Sequence, residues 1–137
     1  MEIYSWNVNG IRSVAKKGFE SWFNSTKPEI LCLQEVRAEK DQLPEFLHDI
    51  EGYYSFWNPC QKKKGYSGVG ILSQIEPDEV NYGMGIDEFD EEGRIVQLVF
   101  PDWVLNSVYF PNGGQGEERL DYKLRFYDAF LENSLQW

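Results

Sequence analysis

A tight pair of apolar segments places the strongest restriction on how this chain can fold. Residues 94–100 and 103–110 are both rich in β-branched and aromatic side chains, and only Pro101 and Asp102 separate them. Such a pair predicts an antiparallel β-hairpin. Shorter apolar runs predict four more strands, at residues 2–8, 29–34, 53–58 and 68–73. The chain is therefore expected to build extended sheet structure.

Segments with helical spacing alternate with these strands. Apolar side chains recur every three or four residues between residues 11 and 25, and Pro28 lies just beyond, so a helix is predicted there. A short helix is predicted at residues 43–50 and a long one at residues 117–136. The long helix carries an apolar stripe: Leu120, Leu124, Tyr127, Leu131 and Leu135. Strands that alternate with helices in this way favour a layered α/β fold.

The end of the sequence suggests that the fold is incomplete. The acidic residues 87–92 are predicted to form a loop, and the long helix that comes later continues to Trp137 without a glycine cap or a following strand. A terminal tryptophan on an uncapped helix is unusual for a complete domain, and a layered α/β fold is expected to contain further strands. We therefore expect residues 1–137 to be one half of a larger domain.

Composition excludes several classes of protein. Apolar residues make up 42% of the chain, which argues against disorder. No run approaches the roughly 18 apolar residues of a membrane span, and the N-terminus lacks a signal-peptide pattern. Cys32 and Cys60 make neither a disulfide framework nor a zinc motif. An intracellular protein with no membrane partner is expected, cytoplasmic in a bacterium or nuclear in a eukaryote.

The net charge of −10 is unevenly distributed. Residues 1–75 carry nine basic and nine acidic side chains, whereas residues 76–137 carry four and fourteen. DNA-binding proteins usually present a basic face, because neutralising phosphates supplies much of their affinity. The overall charge therefore favours an acidic interaction domain. Two local basic groups favour a nucleic-acid partner instead: Arg12, Lys16 and Lys17, and Lys62, Lys63 and Lys64.

Two polar side chains lie where predicted strands end. Asn7 ends the first strand just before the turn at Asn9 and Gly10, and Glu35 directly follows the apolar run 29–34. Loops at strand ends often carry functional groups, and a carboxylate there suits a hard divalent cation. Structural explanations stay open, because Asn7 could simply form the turn and Glu35 could be a solvated carboxylate.

Two later loops carry groups that could contact nucleic acid. The basic, glycine-flanked loop 64–70 has Tyr66 near its tip, where the ring could stack on a base or enter a groove. Tyr109 ends a strand and Asn112 lies in the turn after it, and both can donate hydrogen bonds to a phosphate oxygen. An ordinary loop or turn would explain each of these residues taken alone.

In this order and spacing, the segments resemble the exonuclease III / AP endonuclease branch of the endonuclease–exonuclease–phosphatase superfamily. The resemblance covers essentially the whole chain, and it implies the N-terminal half of a four-layer α/β sandwich, in which two mainly antiparallel sheets pack face to face with helices outside. Five elements carry it: Ser-Trp-Asn-x-x-Gly-x-Arg at residues 5–12, Leu-Gln-Glu at 33–35, Gly-Tyr-Ser-Gly-Val at 65–69, Gly-Arg-Ile at 93–95 and Tyr-x-Pro-Asn at 109–112.

The resemblance implies a magnesium-dependent phosphodiesterase site. Glu35 would be a ligand of Mg²⁺, with Mn²⁺ as an alternative ion, and Asn7 would position the catalytic groups and the water shell of the metal. Tyr109 and Asn112 would bind or orient the scissile phosphate. The reaction implied is hydrolysis of duplex DNA at abasic sites or at blocked 3′ ends.

The resemblance also implies contacts with DNA away from the reacting phosphate. Arg12, together with Lys16 or Lys17, would contact the DNA backbone. Tyr66 would enter the groove beside an extruded abasic nucleotide, which is the role that separates this branch from phosphatase relatives.

Later motifs of that family are absent from the sequence. It contains neither a Gly-Asp-x-Asn element nor a Ser-Asp-His element, and its one histidine, His48, lies on a predicted surface helix. Because the water-activating groups belong to those motifs, we expect the 137-residue chain to be inactive alone. One half of a two-sheet sandwich should also expose an apolar sheet face, which the missing half or a second copy would cover.

Two functions therefore remain open at this point. The chain is either part of a magnesium-dependent AP endonuclease or exonuclease, or a non-catalytic module, acidic in its second part, that binds a partner protein. The retained site residues favour the nuclease.

Overall fold

The computed structural model describes residues 1–135, which form two β-sheets. In the first sheet the strand order is β1-β2-β4-β3, with β1 and β2 parallel and the other neighbours antiparallel. The second sheet, β5-β6-β7, is antiparallel throughout, and β6 and β7 form the predicted hairpin. The strands are β1 (Ile3–Asn7), β2 (Ile30–Gln34), β3 (Tyr54–Asn58), β4 (Val69–Ser73), β5 (Glu79–Asn81), β6 (Ile95–Val99) and β7 (Val104–Val108).

The two sheets pack face to face and bury each other's apolar side chains. Ile71 of β4 and Leu98 of β6 are fully buried in this interface. The buried residues between the sheets are Ile30, Cys32, Val69, Ile71, Val96, Leu98 and Phe100. The expectation of an exposed apolar sheet face is therefore wrong, because both sheets needed to close the interface are already present.

Two short helices cover the outer face of the first sheet. They are α1 (Ile11–Ala15) and α2 (Phe19–Thr26), and α2 packs Phe19 and Phe23 into the core. A single helix was predicted over these residues. The break lies at Gly18, whose left-handed φ of 95° lets the chain turn before α2 begins.

The segment after β2 also differs from its prediction. Residues 43–50 do not form one helix, and two 3-10 turns, Lys40–Gln42 and Glu45–Leu47, lie in this region instead. His48 is exposed, and a ring nitrogen of it lies 2.7 Å from the carbonyl oxygen of Leu43. Its contact is consistent with the predicted structural role.

The long helix α4 (Glu117–Ser134) covers the outer face of the second sheet. It buries Tyr122 and Phe126 against Phe89 and Ile95. The predicted apolar stripe lies on the opposite side of the helix, where its members are 40–79% exposed: Leu120, Leu124, Tyr127, Leu131 and Leu135. The helix thus has two apolar faces, and the aromatic face, which offers the larger area for burial, packs on the sheet.

The acidic segment before β6 is structured as well. A short helix, α3 (Asp87–Asp90), replaces the predicted loop. The carboxylate of Asp90 accepts three backbone N–H bonds, from Met84, Gly85 and Ile86, at 2.8–3.0 Å. These contacts show that part of the acidic run is internal.

The layers occur in the order helix, sheet, sheet, helix, which confirms the predicted α/β sandwich. Among residues 1–135, no helix is both long and apolar enough to cross a membrane. The predicted exposure of Trp137 lies outside the described residues.

Candidate active site

The candidate site is built where β1 and β2 end. These strands are parallel and pair Asn7 with Gln34, so Asn7 and Glu35 leave the same edge of the sheet. The amide Nδ2 of Asn7 donates a hydrogen bond to Oε1 of Glu35 at 3.1 Å. The other end of that amide, Oδ1, accepts the backbone N–H of Asn9 at 3.0 Å. Asn7 therefore fixes the Glu35 carboxylate against the turn that follows β1.

The backbone at Glu35 has an uncommon conformation. Glu35 has φ of 51° and Arg37 has φ of 54°, values that non-glycine residues rarely adopt. Loop-to-loop hydrogen bonds hold this segment: the N–H of Gly10 donates to the carbonyl of Glu35 at 2.8 Å, and the N–H of Arg37 to that of Ser67 at 2.9 Å. Such strain often accumulates at functional sites, where the surrounding structure maintains it.

One oxygen of Glu35 is held by an ion pair and not by a hydrogen bond. Oε2 is buried and has no aligned hydrogen-bond donor. The Nη2 atom of Arg37 lies only 2.6 Å from it, but without the alignment of a hydrogen bond, and Arg37 is 47% exposed. A buried, incompletely satisfied carboxylate oxygen fits a hard cation. Within residues 1–135, no group of three or more acidic, cysteine or histidine side chains could hold a metal, so this part of the chain offers one carboxylate ligand.

Tyr109 lies beside this carboxylate. Burial raises the pKa of its phenol, and the charge of the nearby Glu35 and a side-chain hydrogen bond with it raise the pKa further. The backbone of Tyr109 is paired with that of Arg94, which extends the β6–β7 ladder by one residue. The structure therefore brings together Asn7, Glu35 and Tyr109, which are far apart in the sequence. A tyrosine with its ordinary pKa of about 10 is already protonated at neutral pH, and the upward shift keeps Tyr109 so, which lets its hydroxyl donate a hydrogen bond.

Asn112 stands in the loop after β7 and is exposed. Its Oδ1 accepts the backbone N–H of Gly114 at 2.9 Å, so the side chain stabilises its own turn. Its predicted role in phosphate binding stays a prediction.

The first basic group lies next to the site. Arg12, Lys16 and Lys17 are exposed on α1 and at its C-terminal end. Nη2 of Arg12 donates to the carbonyl oxygen of Arg37 at 3.0 Å, which ties α1 to the loop that carries Glu35. This places a positive edge beside the carboxylate, where a DNA backbone could run.

Tyr66 is half-buried, although the sequence placed it near a loop tip. Its hydroxyl accepts hydrogen bonds from Nη2 of Arg94 at 3.1 Å and from Nη2 of Arg119 at 3.2 Å. Its ring lines an open cavity of about 380 Å³ together with Cys60, Lys62, Lys63, Glu92, Gln115 and Arg119. The ring thus faces a basic cavity while its hydroxyl is held from behind.

Sequence reasoning missed the group that holds Tyr66. Glu92 is 3% exposed and Arg94 is 1% exposed, and the two side chains form an ion pair at 2.8 Å. Arg119 of α4 pairs with the same carboxylate at 3.0 Å. In the sequence Glu92 is one of several acidic residues in a row and gives no sign of burial. Of the two arginines, Arg94 stands out in the sequence only as part of the Gly-Arg-Ile element.

Comparisons with known proteins agree with this geometry. A model of the endonuclease/exonuclease/phosphatase family matches residues 4–136. The chain belongs to this family. Within it, the DNA repair nuclease APEX1 of Danio rerio is 42% identical over 90% of the chain, and an exodeoxyribonuclease of Bacillus subtilis is 40% identical over 99%. The match to the exonuclease III / AP endonuclease branch of DNA repair nucleases is thereby confirmed.

Solved structures of this family have the same fold. A 3′–5′ exonuclease from Neisseria meningitidis superposes with a TM-score of 0.82 at 27% identity, over 98% of this chain and 51% of that one. An AP endonuclease from Archaeoglobus fulgidus gives 0.77 at 30% identity, over 96% and 49%. The chain also spans 40% of the Danio protein and 53% of the Bacillus protein. It therefore corresponds to about half the length of these relatives.

Proposed function

We propose that this chain supplies the metal-binding and phosphate-binding half of a magnesium-dependent nuclease. The substrate would be duplex DNA with abasic sites or blocked 3′ ends. The observation that carries the proposal is the Asn7–Glu35–Tyr109 group, in which a carboxylate whose buried Oε2 has an ion-pair partner but no hydrogen bond lies beside a protonated phenol. The names of the relatives, which include AP endonucleases and exonucleases, support the same reaction class.

Glu35 would hold the metal ion through Oε2, with Asn7 fixing the opposite oxygen. Bound Mg²⁺, or Mn²⁺ in its place, would neutralise charge on the phosphate. Arg37 would move its exposed guanidinium away from Oε2 as the ion enters, which is a small rearrangement for a half-exposed side chain. The carboxylate itself needs no such movement, because Asn7 already sets its position.

Tyr109 and Asn112 would hold the scissile phosphate. A phenol that stays protonated can donate to a phosphate oxygen, and its charge neutrality avoids repulsion from Glu35. The basic edge on α1, with Arg12, Lys16 and Lys17, would follow the DNA backbone on one side. The cavity beside Tyr66 is lined by Lys62 and Lys63 and would take up the DNA on the other side. There, an unstacked nucleotide could contact the tyrosine ring.

Water activation would require groups that this arrangement does not contain. In the described part of the chain, the one histidine is tied to Leu43 in the 3-10 region, and no group of three or more acidic, cysteine or histidine side chains could hold a metal. A phosphodiesterase needs a base or metal-bound hydroxide as well as phosphate donors. We therefore propose that the reaction depends on the part of the relatives that this chain does not match, and that residues 1–137 alone do not turn over.

The test is a nicking assay on a plasmid that contains abasic sites. The chain alone is compared with a chimera in which the unmatched C-terminal part of the Bacillus exodeoxyribonuclease follows it. The expected result is no nicking by the chain and magnesium-dependent nicking by the chimera, which EDTA abolishes. A Glu35→Gln chimera is the control and should lose activity while staying folded. Nicking by the chain alone, or full activity in the Glu35→Gln chimera, would overturn the proposal.

A partner-binding module is the second candidate, and the exposed stripe on α4 favours it. The stripe lies beside acidic side chains of the same helix, at Glu117, Asp121, Asp128 and Glu132. If this surface alone were functional, stripe substitutions would abolish partner binding, and the chimera would show no nuclease activity.

A further inference from the structure

A buried charged cluster lies behind the two tyrosines of the site. At its centre, Oε1 of Glu92 accepts hydrogen bonds from Nε and Nη2 of Arg94 at 3.1 and 2.8 Å. The same carboxylate accepts from Arg119, with Nη2 at 3.0 Å from Oε1 and Nη1 at 3.1 Å from Oε2. One carboxylate thus joins a guanidinium at the start of β6 to a guanidinium on α4.

The two arginines in turn hold Tyr66 and Tyr109. Nη1 of Arg94 donates to the backbone carbonyl of Tyr109 at 3.0 Å. Both Arg94 and Arg119 donate to the hydroxyl oxygen of Tyr66, at 3.1 and 3.2 Å. A phenol oxygen that accepts two hydrogen bonds keeps its own proton free, so Tyr66 can still donate to a ligand in the cavity.

The charge balance of the cluster makes Glu92 the member that determines its shape. Arg94 is almost fully buried, so its guanidinium depends on protein partners. Although burial opposes it, hydrogen bonds from Arg119 and Arg94 hold the pKa of Glu92 below its usual value, so the carboxylate is charged at neutral pH. Two positive groups share one negative group, which leaves one excess positive charge next to the cavity that contains Lys62 and Lys63.

We infer that Glu92 is a positioning residue that fixes the side chains of Arg94 and Arg119. Through these two arginines it holds Tyr66 and Tyr109 at a fixed distance and orientation to each other for DNA binding. The inference rests on the proposed function for its DNA contact. It assigns to a buried residue at the wall of the cavity the task of coupling the cavity side of the site to the phosphate side. Without Glu92, two guanidiniums of like charge would repel each other and release the Tyr66 hydroxyl.

A matched control is available on the same helix, α4. Glu88 of α3 pairs with Arg125 of α4 at 2.6 Å, just as Glu92, which follows α3, pairs with Arg119, but both members of the Glu88 pair are about half-exposed. Glu88→Gln therefore removes an α4 ion pair without touching either tyrosine. A role limited to anchoring α4 would give similar results for Glu88→Gln and Glu92→Gln.

The first measurement is ¹⁹F NMR of the chain labelled with 3-fluorotyrosine, which contains eight tyrosines. Tyr→Phe variants assign the signals. Glu92→Gln should shift the Tyr66 and Tyr109 signals and leave that of Tyr54, on β3, unchanged, whereas Glu88→Gln should move none of the three. If Glu92→Gln does not fold by circular dichroism, Arg119→Gln replaces it, since that partly exposed residue bonds the same hydroxyl. Unmoved Tyr66 and Tyr109 signals in a folded variant would overturn the inference.

The second measurement is fluorescence anisotropy with a duplex that contains one tetrahydrofuran abasic analogue, beside the intact duplex. Glu92→Gln should reduce the preference for the abasic duplex about tenfold, the effect of losing roughly one charge-assisted hydrogen bond. Shifted signals with an unchanged preference would mean that the cluster only supports the fold. If the wild-type chain shows no abasic preference, the proposed DNA contact fails, and the NMR result still decides whether Glu92 sets the two tyrosines.

Discussion

Replacing Glu35 by glutamine should abolish magnesium binding while leaving the free energy of unfolding almost unchanged. Glutamine has the same size, and its carbonyl oxygen can accept the 3.1 Å hydrogen bond from Asn7. Its amide nitrogen would then replace Oε2 and face the Arg37 guanidinium, which is half-exposed and can turn towards solvent. The substitution therefore removes one ion pair and one incompletely satisfied buried anion, and little else.

The two effects on stability nearly cancel. Loss of a partly exposed ion pair costs about 0–1 kcal/mol. Removing a buried carboxylate oxygen that lacks a hydrogen-bond donor returns about 1 kcal/mol. We expect the free energy of unfolding to change by less than about 1 kcal/mol, a small part of the roughly 5–15 kcal/mol typical of a domain. A residue retained for packing would instead cost several kcal/mol when altered.

Urea unfolding with and without magnesium measures both consequences. Bound ligand stabilises the folded state by about 1.4 kcal/mol when its free concentration is ten times its Kd. The wild-type chain should gain stability with MgCl₂ and Glu35→Gln should not, while Glu20→Gln, on the exposed side of α2, should behave as wild type. A loss of more than about 2 kcal/mol in Glu35→Gln, or an equal magnesium effect in both proteins, would refute the reasoning.

Three further predictions concern surfaces and pH. Leu124→Glu on the exposed stripe should reduce self-association measured by light scattering, because burying one leucine there is worth about 1.5–3 kcal/mol; unchanged association would place the interface elsewhere. Replacing Arg12, Lys16 and Lys17 by glutamine should make the slope of log K for DNA binding against log salt concentration less steep. The change should be about 0.9 for each phosphate that these side chains neutralise, and an unchanged slope would exclude this edge as a DNA contact. Because the pKa of Glu92 is lowered in the folded state, its contribution to stability should be lost as pH falls below about 4.5, so wild type and Glu92→Gln should converge in acid unfolding; a constant gap down to low pH would contradict the ion-pair assignment.

Local patterns predicted most of the strands but fewer of the helix boundaries. The β6–β7 hairpin was evident because two apolar runs flank Pro101 and Asp102. The short strand β5 (Glu79–Asn81) was missed, since its single apolar residue, Val80, gives no alternation to detect. At Gly18 the helical pattern continues through the glycine and predicts one helix where two occur. The left-handed conformation of Gly18 depends on how α1 and α2 each pack on the sheet, which spacing alone cannot show.

In the candidate site too, local sequence patterns predicted some features, whereas others depend on the tertiary structure. Glu35 and Asn7 were found because each ends an apolar strand, and their hydrogen bond follows from the parallel register of β1 and β2. The roles assigned to these two residues, to Tyr109 and Asn112 at the phosphate, and to Arg12, Lys16, Lys17 and Tyr66 at the DNA all stay predictions, since each depends on where the metal ion or the DNA lies.

Glu92 shows most clearly what the sequence could not reveal. It stands beside Asp90 and Glu91 in an acidic run that is usually solvated, yet Glu91 is exposed while Glu92 is buried between two arginines. Gly93, which follows Glu92, has a φ of 60° and lies where a Cβ would be 2.6 Å from the backbone oxygen of Asn58. That close approach requires glycine between Glu92 and the start of β6. Glu92 is therefore buried through tertiary contacts with Arg94 and Arg119, which the pattern of charges along the sequence does not show.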